Sequence, residues 1–247
     1  MFTVPTIEMS REFHAVWLAA GQHLERQVDQ GISWLKCDPR PPFLEHLSFR
    51  LGNQLFFIRV MAEDGSVEAP GHIGGLEAIA KGCNGHACLM PMRMICGEWR
   101  PLVPGWGLVD LMTELPVDPP ALVTDEAIEM TDWELQDFAV QVVRDMLRKE
   151  GHELMSWNGN PDVNPSLWFL GEDGPEWVLV RVVRHPIRRA PFPVNWKEIA
   201  RSLAALSRKG HFASVAVACG GGPAGEGFLA RGHGLMIAYE GLEPGPG

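Results

Sequence analysis

The feature that most constrains this chain is that its pattern is written twice. Ser10 stands before a helix-period run in which Phe13, Val16, Trp17, Ala20, Leu24 and Val28 recur at three- and four-residue steps, and Gly31 sits where a C-terminal cap falls. The same phrase returns at Thr131, which makes a capping-box signature with Glu134. There Leu135, Phe138, Val142, Val143, Met146 and Leu147 supply the expected buried stripe, and Gly151 closes the helix. Repetition of start signal, stripe and stop signal predicts two copies of one supersecondary unit.

The segments after each helix repeat as well. The first copy continues with a short strand at 32–35, a loop with Pro39, Pro41 and Pro42, a strand at Leu47–Leu51, a turn at Gly52 and Asn53, and the apolar run 55–61 (LFFIRVM). The second continues with a short strand, a loop holding Pro161 and Pro165, the strand 166–170 (SLWFL), a turn at 172–175 and the run 177–183 (WVLVRVV). Runs of this length, rich in β-branched residues and bounded by turns, read as strands buried on both faces. Second helices are expected at 71–82 and 195–208. Each precedes a Gly-His pair, Gly85-His86 or Gly210-His211, that opens an apolar strand ending in Cys96-Gly97 or Cys219-Gly220. The last strands open on related phrases, 105–108 (GWGL) and 232–235 (GHGL).

The expected fold is therefore α+β: a tandem duplication of an α-β-β-β-α-β-β unit, with mixed sheets flanked by helices. Copies are expected over 1–115 and 131–241, with a proline- and acid-rich connector at 116–130 and a flexible Gly/Pro tail at 242–247. Two copies in one chain are expected to pack about a pseudo-twofold axis, giving a pseudo-dimeric monomer or a homodimer.

Charge narrows the partners. Acids number 31 against 21 bases in 247 residues, a formal net charge of −10, which is not the footprint of a general nucleic-acid binder. No apolar stretch reaches the length that spans a bilayer, and the first residues show no basic region followed by an apolar one, so neither membrane insertion nor secretion is expected. Five cysteines (Cys37, Cys83, Cys88, Cys96 and Cys219) are odd in number and sparse, which suits reduced thiols in a cytoplasmic protein. Of the tryptophans, Trp17, Trp133 and Trp168 are expected in the core, whereas Trp99, Trp106 and Trp196 fall near element ends and are expected to be partly exposed.

The chemical motifs mostly fail on inspection. The segment 220–225 (GGGPAG) fits the letters of a dinucleotide loop, but the glycines beyond it and the short remaining chain oppose the helix such a loop needs. The segment 83–88 (CNGHAC) has no common zinc spacing, and its cysteine positions become Arg208 and Ala213 in the second copy. No metal and no cofactor is expected.

The phrase 161–168 (PDVNPSLW), set within the α-β-β-β-α-β order, resembles the core of the PD-(D/E)xK restriction-endonuclease-like superfamily. That resemblance implies an acid at the second strand and an acid-x-lysine on the third, holding a divalent metal that activates water against a phosphodiester. Asp162 then stands for the second-strand acid and Arg181 for the lysine, while Leu179 falls where the third-strand acid belongs. In the first copy Arg59 and Phe57 take those places. Leucine and phenylalanine offer no oxygen to magnesium, so the resemblance implies inactive sites unless Glu172 or Glu176 supplies a carboxylate.

Arg59 and Arg181 interrupt strands that read as buried, and each must meet an acid or carbonyl groups; an internal ion pair is the expectation. Arg184, His185, Arg188, Arg189, Lys197 and Arg201 extend the basic cluster around Arg181. The element order and acidity also resemble small acidic secretion chaperones, which bind an extended partner segment as dimers. The reading is a non-catalytic cytoplasmic binding or adaptor protein with a protein partner rather than a nucleic acid. Its candidate binding residues are Asp162, Glu176, Arg181, Arg184, Arg188 and Arg59. The alternative is a metal-dependent nuclease or its inactive DNA-binding relative.

Overall fold

The computed structural model describes residues 10–29, 32–35, 46–220 and 228–246. Cys37 and the glycine-rich segment 221–227 lie outside these residues. The chain divides into two compact units, Met1–Glu126 and Ala127–Gly247. Unit 1 runs α1 (Arg11–Glu25), β1 (Ser33–Trp34), β2 (Leu47–Leu51), β3 (Gln54–Ala62), α2 (Ile73–Gly82), β4 (His86–Ile95), β5 (Glu98–Pro101), β6 (Leu108–Asp110), β7 (Pro116–Val117) and α3 (Pro119–Leu122). Unit 2 runs α4 (Asp132–Lys149), β8 (Glu153–Trp157), β9 (Leu167–Gly171), β10 (Gly174–Arg184), α5 (Trp196–Leu203), β11 (Gly210–Cys219), β12 (Leu235–Tyr239) and β13 (Glu243–Pro244).

The duplication is real at the level of topology. In unit 1 the antiparallel meander β1-β2-β3 is joined by parallel pairing of β3 with β4, and β4 is flanked by antiparallel β5 and β6. In unit 2 the meander β8-β9-β10 is joined by parallel pairing of β10 with β11, flanked by antiparallel β12 and β13. A parallel step cannot be closed by a tight turn, so α2 and α5 are its crossovers.

Alternation along the central strands sends side chains to two cores. On β10, Val178 and Val180 join Ala139, Val140 and Val143 of α4, while Trp177 and Leu179 join Trp196 and Ile199 of α5. In unit 1, Phe56, Ile58 and Val60 of β3 pack with Phe13, Trp17 and Ala20 of α1. Gly210 is required where it stands: a Cβ there would lie 2.2 Å from the Trp177 ring, which itself sits 4.7 Å from the ring of Trp196.

Helix starts follow their signals. The Ser10 side chain accepts from Phe13 N–H at 3.1 Å, and Thr131 and Glu134 form the full capping box. The buried face of α4 is rotated from the expected stripe, however. Leu135, Ala139, Val140, Val143 and Leu147 are buried together with Gln136 and Asp137, whereas Phe138, Val142 and Met146 are half-buried. The polar pair is tolerated because it is bonded: Gln136 Nε2 donates to Val180 O at 2.9 Å, and Asp137 accepts from Gln141 at 2.6 Å. The helix α5 ends at Leu203 instead of continuing to 208, because the following backbone bonds tighten to three-residue spacing, Ala204 N–H to Arg201 O and Leu206 N–H to Leu203 O.

Other differences concern ends. Within the stretch read as connector, β7 pairs antiparallel with β6, and Pro119 opens the short helix α3. Within the stretch read as tail, β13 pairs with His211 and Phe212 of β11. The related phrases 105–108 and 232–235 do not place equivalent strands. Leu108 begins a strand against Cys88 and Leu89, near the start of β4, whereas Leu235 lies opposite Cys219, at the far end of β11. By register, β12 takes the place of β5, and β13 that of β6. Trp106 and Trp196 are buried at 7% and 4% exposure, with Trp177 at 1%, while Trp133 and Trp168 are half-buried. Sheet packing, not position within an element, decides which rings are covered.

A buried ion pair in unit 2 joins its first helix to the segment before β12. Arg231 meets Glu134 through Nε and Nη2, both at 2.8 Å, with side chains 0% and 4% exposed. Removing one partner strands a buried charge. We expect Arg231→Ala to cost about 3–5 kcal/mol in urea unfolding, and the double change Arg231→Met with Glu134→Gln to cost far less. A single-variant loss below about 1 kcal/mol would show that solvent reaches the pair.

Candidate functional site

Strand register matches the halves residue by residue. Phe56 faces His86 across β3 and β4, and Val178 faces His211 across β10 and β11. Two positions before Phe56 and Val178 stand Gln54 and Glu176, on the same face of the sheet as those residues. Both histidines take up this partner. The His86 Nε2 lies 3.0 Å from Gln54 Oε1, and His211 Nε2 lies 2.6 Å from Glu176 Oε2. Since a carboxylate only accepts, His211 donates through Nε2. The repeated histidine is visible in the sequence; its partner is not, because a two-residue offset on a neighbouring strand shows only once the register is known.

The surroundings differ between the copies. His86 stacks on Phe56 with ring centroids 5.0 Å apart. Around His211 the pair is charged: Lys209 Nζ reaches Glu176 Oε1 at 3.5 Å and Asp173 at 2.5 Å, and the Phe169 ring lies 5.9 Å from the imidazole. Hydrogen bonding to Lys209 holds the Asp173 carboxyl below its ordinary range and the Lys209 ammonium above its own. Both Glu176 oxygens are thus engaged. Among the described residues no three His, Cys, Asp or Glu side chains come together as a metal site.

The strand arginines also match, since Arg59 faces Leu89 and Arg181 faces Ser214 at equivalent register. Among the described residues, neither makes the expected ion pair. Arg59 donates to Pro70 O at 2.7 Å and Ala69 O at 2.9 Å; Arg181 donates to Val180 O and to Asn164 Oδ1, each at 2.8 Å. Carbonyl and amide oxygens suffice because each arginine lies on the crossover-helix face beside a loop that can turn such groups inward. Burial lowers the pKa of Arg181 from its ordinary value. Asn164, which lies inside the phrase 161–168 but has no role in that motif, is the loop residue that meets Arg181.

The remaining candidates are spread apart in their contacts. Asp162 is exposed in the loop between β8 and β9, where its N–H donates to Asn160 Oδ1 at 2.9 Å. Arg184 is held by Glu129 at 2.5 Å, Asp132 at 3.0 Å and Met130 O at 2.9 Å. Arg189 pairs with Glu243. Arg188 is exposed and walls a hollow of about 380 Å³ beside β12. The floor of that hollow is Ala216, Ala218, Met236 and Ala238, with Ile187 at its rim. Unit 1 has a hollow of about 430 Å³ beside Trp99, Pro101 and Pro104, where His23 Nε2 lies 2.8 Å from Gly105 O and burial lowers the pKa of His23.

Among the thiols, Cys88 is buried, and desolvation together with Asp110 pushes it up to about 12, so it has little thiolate to act as a nucleophile. Iodoacetamide at pH 8 is expected to label exposed Cys96 in the folded protein and Cys88 only after unfolding, as read by peptide mass mapping. For the histidine pairs, Glu176→Gln writes the unit 1 solution into unit 2 and should change stability by less than about 1 kcal/mol. In contrast, His211→Ala takes a partner from a half-buried carboxylate and should cost about 1–3 kcal/mol in the same denaturant titration.

A family model described as Domain of unknown function (DUF8840) matches residues 133–244, most of unit 2 and less than half of the chain. No curated protein and no solved structure matches the chain.

Proposed function

We propose that this chain is a non-catalytic cytoplasmic binding or adaptor protein, chaperone-like in its action, whose ligand is another protein. The observation that carries the reading is the apolar surface around the unit 2 hollow, where Ile187 and Met236 are 56% and 54% exposed. Large apolar side chains gathered at one concave place mark an interaction surface rather than an ordinary exterior. The acidic balance of −10 supports a protein ligand over a phosphate backbone.

An inactive nuclease-like DNA-binding protein is the second reading. It draws on the meander followed by a parallel crossover strand in each unit, and on Arg181 standing where the resemblance puts a lysine. Against it, Arg184 and Arg189 are paired with Glu129, Asp132 and Glu243, which neutralises much of the face that DNA would meet. In the protein-binding reading Arg59, Arg181, Arg184 and Glu176 serve as structural supports, and Arg188 borders the binding surface.

The test is suppression of light scattering from a heat-unfolded reporter enzyme by the full chain at equimolar ratio. We expect suppression without magnesium, weakened at least about threefold by Met236→Glu. Magnesium binding by calorimetry that disappears in Asp162→Ala, together with cleavage of duplex DNA, would overturn the reading.

A further inference from the structure

We propose that the free edge of β12 is a strand-addition site, which takes an extended, basic segment of a partner protein and seats one of its apolar side chains in the adjoining hollow. This rests on the protein-binding reading above and adds the mode of binding and the chemistry of the ligand.

Backbone phase identifies the edge. Gly220 N–H donates to Gly234 O at 2.8 Å, so these residues form a hydrogen-bonded pair. Pairs alternate along an antiparallel ladder, which places Ala218–Met236 and Ala216–Ala238 in bonded pairs and Val217–Ile237 in a non-bonded one. The Val217 carbonyl confirms the phase, because it turns the other way and accepts from His185 N–H at 2.9 Å. The N–H and C=O groups of Leu235, Ile237 and Tyr239 therefore point away from β11. Among the described residues no strand pairs with β12 on that side.

Comparison of the halves shows what such a position takes. In unit 1, β6 is covered by β7, an extended segment laid antiparallel along it. The strand β5, which has the place of β12, carries Glu98, Arg100 and Pro101, the charges and proline that blunt an edge. In contrast, β12 reads Leu235, Met236, Ile237, Ala238, Tyr239, with neither charge nor proline. Among the described residues, β12 thus has neither a covering strand nor these guards.

Side chains add specificity to the backbone pairing. Ala216, Ala218, Met236 and Ala238 lie on the α5 face by register, beyond the cluster that α5 covers, and the small side chains of the three alanines leave the hollow open. An alternate residue of an added strand projects toward this face. Glu240 follows the strand directly, and Glu150, at the C-cap of α4, acts on Tyr239, whose hydroxyl burial and this carboxylate push up to about 12. Arg188 stands on the other wall of the hollow. A lysine or arginine of the partner therefore belongs at the Tyr239 end. The same acidity opposes a second copy of this chain as the occupant.

The experiment selects displayed random dodecapeptides on the full chain and measures the winners by fluorescence anisotropy. Ile237→Pro deletes an outward N–H without touching the ladder to β11, and Met236→Lys adds a guarding charge at an exposed side chain; circular dichroism and melting verify folding of both. We expect basic, alternating peptides whose affinity falls at least about tenfold in each variant, and which slow amide exchange at Leu235, Ile237 and Tyr239. Peptides that bind equally well to both variants would overturn strand addition while leaving the protein-binding reading standing. Absence of any selected binder would remove both. A dimer in solution that either variant makes monomeric would overturn the proposal by showing that a second copy holds the edge.

Discussion

The parallel pairing of β3 with β4, and of β10 with β11, is the constraint on which the rest of each unit depends. A parallel step demands a crossover, the crossover must lie on a face of the sheet, and a sheet covered there needs an apolar helix on the opposite face to bury the other half of its side chains. Hence in each unit, taken by itself, the crossover helix (α2 or α5) lies on one face of its sheet and the first helix (α1 or α4) on the other. Hence also the polar groups that remain on these strands must be answered internally. Arg59 and Arg181 find carbonyl and amide oxygens, and His86 and His211 find Gln54 and Glu176. These positions share one physical origin in both halves. The copies diverge in charge at Glu176 while keeping the bond.

Much of this is legible in the sequence because it is local. Ser10 and the Thr131–Glu134 box announce helix starts, and 55–61 and 177–183 announce strands buried on two faces. The illegible part depends on register. The phrase shared by 105–108 and 232–235 looks like one strand start, yet the two pair with opposite ends of β4 and β11, because β5 occupies in unit 1 the place that β12 takes in unit 2. The face of α4 departs from its period for a related reason. Period alone favours Phe138 and Val142, but the hydrogen bonds of Gln136 and Asp137 let polar residues turn inward.

The candidate site is legible in its residue types and not in its assembly. Arginines inside buried strands announce that they need partners, but no spacing rule reveals that Asn164, Ala69 and Pro70 supply them. Arg231 offers less still. It lies just beyond a glycine-rich run and looks like a surface residue, yet it is fully buried against Glu134. A guanidinium in a loop gives no sequence sign of burial when its acid lies on a distant helix, so the contact that ties the end of unit 2 to its start becomes visible only in three dimensions.

The two halves also bear on each other as evidence. Where duplicated units keep a feature, as with the histidine pairs, the feature belongs to the fold. Where one unit keeps it and the other does not, the shared fold does not require it. Covering and guarding of the outer strands belongs to this second class. Unit 1 blunts β5 with charge and proline and covers β6 with β7, whereas β12 carries three exposed apolar side chains and, among the described residues, an outer edge with no strand on it. An unguarded edge invites aggregation, and a stable fold has no use for it. Its presence in one copy beside a guarded twin is the contrast on which the proposed strand addition rests.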